Sequence, residues 1–104
     1  DEAFSEYRRC LERPGSARGI CEDYRASAGI DLEHDRADLA VGRHLNLPLL
    51  VLWGAEGTVG RCLDPLGEWQ QVATDVRGKA LPAGHYLAEE VPELLLTEAL
   101  DFLR

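Results

Sequence analysis

The sequence predicts an α/β protein in two parts, a helical stretch over residues 1–44 and a strand-and-helix stretch over 45–104. Three observations carry this. Up to about residue 44 the apolar residues recur at helical spacing. Then "LPLLVLWG", residues 47–54, is a continuous apolar run stopped by glycine, the pattern of a strand covered on both faces by helices. The residues after it read as helix, strand and helix, so the two strands are joined by a helical crossover and run parallel.

Taken in order, the first helix is predicted from Phe4, Tyr7 and Leu11, which fall at i, i+3 and i+7 before Pro14 and Gly15 break the run. Ser16 is placed to cap a second helix, in which Ile20, Tyr24 and Cys21 share a side and which Gly29 ends. A third, "DLEHDRADLAVGRHL", is predicted to start at Asp31 as N-cap, with acidic residues in the first turn, where the helix dipole favours them. After the apolar strand come a polar loop, "GAEGTVGR", a helix over 67–73 and a short strand over 77–81. The loop "PAGHYLAEE" leads to a last helix over 92–103. Pro92 suits its first turn, and Leu95, Leu96, Ala99, Leu100 and Leu103 form the expected buried stripe. Trp53 and Trp69 read as packing residues.

The composition narrows the function. With 45% apolar and 29% charged residues the chain is globular in character, and its net charge of −8 without a Lys/Arg cluster speaks against nucleic acid. No run is long enough to span a bilayer, and no signal or lipidation motif occurs, so a cytoplasmic protein is expected. Cys10, Cys21 and Cys62 fit neither a disulfide framework nor a zinc site. Asp31, His34, Asp35 and Asp38 share helical spacing, but an exposed acidic face explains them better than a metal. No methionine occurs and residue 1 already lies in a helical pattern, so a longer parent chain is expected. Two strands alone leave an unpaired apolar edge, so the segment is expected to need further core or a partner chain, a second copy being the expected one.

His85 is the residue best suited to chemistry. Among side chains an imidazole is the one suited to exchange a proton near neutral pH. It comes directly after Gly84 in a loop at the carboxyl ends of the strands, where α/β sheets bind ligands. Glu89 and Glu90 behind it are expected to serve helix capping and the dipole.

"PLLVLWG", "GHYLAEEVPE" and the closing helix resemble the C-terminal end of the α/β-hydrolase fold. With "CEDYRASAGIDLEHDRADL" ahead of them, nearly the whole chain is similar to the haloacetate (fluoroacetate) dehalogenase family. The resemblance implies a partial α/β-hydrolase fold, cap helices followed by the last two parallel strands and their helices. It implies hydrolytic loss of halide from a 2-haloacid, without metal or organic cofactor, through an aspartyl ester that His85 hydrolyses by activating water. It further implies that Tyr24, on a cap helix, helps to cradle the leaving halide. The nucleophile elbow, G-x-S-x-G or G-x-D-x-G, does not occur in these residues, so the segment alone is expected to be inactive. Many α/β-hydrolases carry their acid in a "WGxxD" pattern, where this chain has "WGAEG" and Gly57 at that position. Glu56, one residue early, is the candidate substitute, while the dehalogenase resemblance places the acid on an earlier strand. An epoxide hydrolase would share the nucleophile and histidine. From another class, a non-catalytic segment that pairs its strand edge with another chain also fits.

Overall fold

A computed structural model describes all 104 residues. The chain divides into two compact units, residues 1–42 and 43–104. The first is helical: α1 (Glu2–Leu11), α2 (Ser16–Ser27) and α3 (Ile30–Ala40). Asp1 caps α1 by accepting the Ala3 N–H at 3.0 Å. The next two starts differ from the sequence reading. Gly15, at φ 90, is the N-cap of α2, and the Ser16 hydroxyl instead donates to the Cys10 carbonyl at 2.8 Å. A left-handed turn that tight suits glycine, and it leaves serine one position too late to cap. Gly29 likewise takes the N-cap of α3, and Asp31 lies inside the first turn, where it still meets the helix dipole favourably. Exposed i,i+3 and i,i+4 ion pairs, Arg9–Glu6, Arg25–Glu22 and Arg8–Glu12, line these helices.

The second unit is α/β. Strand β1 (Leu45–Gly54) pairs in parallel with β2 (Ala73–Leu81), in register from Pro48 opposite Asp75 to Gly54 opposite Leu81. The ladder is irregular between Leu45 and Pro48, where proline has no N–H to donate. Between the strands run α4 (Thr58–Cys62) and α5 (Pro65–Gln70); α6 (Leu87–Glu90) and α7 (Pro92–Leu103) come after β2. The helix expected over 67–73 begins earlier, because Asp64 accepts the Gly67 N–H at 3.1 Å and Pro65 sits at the first helical position. That frees residue 73 to start β2, which is nine residues long rather than five.

Packing is thin. Val51, Ala73, Leu81 and Ala83 are the buried apolar residues, and no polar side chain is buried. On α7 the half-buried face is Leu95, Glu98, Ala99 and Phe102, whereas Leu96, Leu100 and Leu103 of the expected buried stripe are exposed. The reason is what reaches over from β2. Arg77 stacks its guanidinium 4.7 Å from the Phe102 ring centroid and donates to the Phe102 carbonyl, and Lys79 pairs with Glu98 at 2.7 Å. Those contacts turn the mixed face of the helix toward the sheet. Trp53 is half-buried and Trp69 is exposed. The chain leaves 8167 Å² accessible, against about 5,800 Å² for a self-contained protein of its 11.5 kDa. No helix is long and apolar enough to cross a membrane.

Candidate active site at the carboxyl end of the sheet

Both parallel strands end on the same side, and there the chain after β1 is joined to the chain after β2. The Ala55 N–H donates to the Leu81 carbonyl at 2.9 Å, and the Glu56 N–H to the Ala83 carbonyl at 3.0 Å. These bonds extend the ladder past both strand ends. The approach is close because Gly54 has no side chain: a Cβ there would collide with the Gly84 carbonyl oxygen and come within 2.5 Å of that of Ala83.

His85 stands on the segment held in this way. It is exposed, and its imidazole lies edge-on to the Tyr86 ring, with centroids 5.1 Å apart. A cavity of about 130 Å³ opens beside it, walled by Leu52, Trp53, Gly54, Val59, Gly84 and Leu87 as well as His85. The site is thus an apolar pocket with one imidazole on its rim. Such a group can take a proton from water or from a bound hydroxyl. A larger groove of about 240 Å³ lies between β2 and α7, but its Arg77, Lys79, Glu98 and Asp101 are occupied with Phe102, with each other or with Arg104.

Of the other candidates, Glu56 lies at the same end of the sheet through its backbone, yet its exposed carboxylate makes no hydrogen bond to His85. Tyr24 belongs to the helical unit, on α2, with 74% of its surface exposed.

The sequence reading assigned Glu90 to helix capping and the dipole; it does accept the N–H of Tyr86, the N-cap of α6, but its second bond, to Gly84, was not foreseen. Its carboxylate accepts the Gly84 N–H at 2.7 Å and the Tyr86 N–H at 3.0 Å, so it bridges the residues on either side of His85. The only sequence signal is a glutamate a few residues past a glycine-led loop. The Gly84 N–H first, then that of Tyr86, hold the Glu90 carboxyl below the usual glutamate range, with the nearby His85 adding slightly and desolvation opposing. A lowered carboxylate pKa means that the bridge is complete above the ordinary glutamate value and is lost as pH falls through the lower folded value. The Gly84 and Tyr86 amide proton shifts should therefore titrate together in an NMR acid titration, with a midpoint below 4.5. A shared midpoint above 4.5 would show that these amides do not stabilise the carboxylate.

No protein-family model matches the chain. It is 34% identical over 92 residues to a fluoroacetate dehalogenase of a Burkholderia species, a match covering 88% of this chain and 30% of that protein. It is also 34% identical over 104 residues to the soluble epoxide hydrolase of Corynebacterium sp. strain C12, covering 98% of this chain and 34% of that one. The chain spans about a third of the length of these curated relatives. Among solved structures, a protein from Nostoc sp. PCC 7120, provisionally described as an α/β hydrolase, matches with a TM-score of 0.90 at 46% identity. That match covers 98% of this chain and 34% of the Nostoc chain.

Proposed function

From the premise that this chain belongs to the α/β-hydrolase superfamily and carries the C-terminal portion of its fold, we propose that its parent is a haloacetate dehalogenase-type enzyme with His85 as general base. The observation that carries the reading is the place of His85, on a braced loop beside an apolar pocket at the carboxyl end of parallel strands. An aspartate outside these residues attacks C2 of the haloacid; a C–O bond forms and the halide leaves with the electron pair of the carbon–halogen bond. His85 then takes a proton from water, the hydroxide adds to the ester carbonyl, and the hydroxyacid departs as the imidazolium returns its proton. Tyr24 is assigned to the leaving halide, as its O–H can donate to an anion. The acid that orients His85 is assigned outside this chain, since Glu56 makes no bond to the imidazole. The reaction as written needs no metal or organic cofactor.

The similarity to a fluoroacetate dehalogenase supports this reading, and the equal identity to an epoxide hydrolase supports the second one. The full-length enzyme, assayed on fluoroacetate and on a simple terminal epoxide, separates them: steady fluoride release supports the dehalogenase, and turnover of the epoxide alone overturns it. The large accessible surface supports a companion proposal, that residues 1–104 pack against further core or a second copy and release no fluoride alone.

A further inference from the structure

The loop from Pro82 to Tyr86 is held from two sides. On one side the turn after β1 grips it, through the Glu56 N–H on the Ala83 carbonyl and the close approach of Gly54. On the other side stands Glu90, the final residue of α6. Each of its carboxylate oxygens takes a different loop amide, Oε2 that of Gly84 and Oε1 that of Tyr86. Two bonds from one rigid planar group fix the backbone on both sides of His85, and so the direction in which the imidazole leaves the chain. Neither amide has a backbone acceptor, so without Glu90 both would turn to water.

We infer that Glu90 is a positioning residue: by bridging the Gly84 and Tyr86 amides it holds His85 where the imidazole can reach the water of the second chemical step. This rests on the reading of His85 as general base. Glu90 is not placed as the acid partner of that base, because its carboxylate bonds go to backbone amides and none goes to the imidazole. The ionisable groups around it are His85 in the loop and Glu89 beside it on α6.

The test uses the full-length enzyme with Glu90→Ala and Glu90→Gln. Glutamine keeps the shape and one acceptor oxygen, but its NH2 faces an N–H, so it can satisfy one amide only. The first halide ion is released without His85, so its single-turnover release should match wild type in both variants, with a burst at least as large as that of wild type. Hydrolysis of the ester should slow by about 10²-fold in Glu90→Ala, the scale of a 1 Å misplacement, and less in Glu90→Gln. Because only the later step slows, kcat and KM should fall together, with kcat/KM unchanged. Loss of folded protein would instead reduce burst amplitude and leave KM alone. Wild-type turnover in Glu90→Ala, or a burst that shrinks in proportion to turnover, overturns the inference. A second readout is independent of the reaction: hydrogen exchange at the Gly84 and Tyr86 amides should accelerate in Glu90→Ala, and unchanged exchange overturns the inference even if the parent acts on another substrate. A wild-type enzyme that releases no halide at all while these amides do accelerate would sink the proposed function and spare the bridge.

Discussion

Replacing His85 with alanine in the full-length enzyme should lower steady-state turnover by about 10⁴-fold, the upper end of the range in which general bases contribute. The side chain is exposed and meets the Tyr86 ring only edge-on, so the fold should be little affected and the melting temperature should stay within a degree or two of wild type. That combination separates a chemical role from a structural one. The geometry leads to the same expectation, because the backbone carrying His85 is held by the Ala83 carbonyl and by the Gly84 and Tyr86 amides, none of which involves the imidazole. Steady-state halide release and a thermal melt on the same sample check it. Turnover within ten-fold of wild type would remove His85 from the mechanism.

The second large effect is expected at Gly54→Ala. A single methyl at this buried position meets two carbonyl oxygens of the backbone, and backbone cannot swing aside as a side-chain tip can. Either the segment of Ala83 and Gly84 moves away or the end of β1 does. Overpacking of this kind costs about 3 kcal/mol, and the displaced loop takes His85 with it, so activity should fall by about 10²-fold in the molecules that still fold. Urea denaturation and kinetics on the soluble fraction measure the two effects. A stable, fully active Gly54→Ala protein would mean that the strand ends are not in close contact.

The features legible in the residues and those hidden from them divide along physical lines. The apolar run ending in Trp53 and Gly54 announces a strand by its length and continuity, although only Val51 and Gly54 of β1 are buried here, and Pro92 marks the start of α7 because proline loses nothing at a first helical turn. The helix starts at Ser16 and Asp31 were misplaced because glycine backbone took the cap positions that side chains could have filled. β2 was read too short because Thr74, Asp75, Arg77 and Lys79 give a half-polar strand no continuous apolar signal. The exposed stripe of α7 was misjudged because leucines cover more than one face, and the cation over Phe102 decides which face meets the sheet. At the site, the position of His85 on its loop could be read from the sequence. Of the bridge from Glu90, the local capping arm to Tyr86 was expected from the residues; the arm to Gly84 was not, since it depends on how the loop lies against α6.

The central claim is that His85 acts on the second chemical step and not the first. The most direct measurement is the intact mass of full-length His85→Ala after mixing with excess fluoroacetate, with fluoride counted in the same sample. One fluoride per enzyme is expected, with a protein mass raised by one ester-bound carboxymethyl group that persists for hours. Continued fluoride release at the wild-type rate, with the protein mass unchanged, would contradict it.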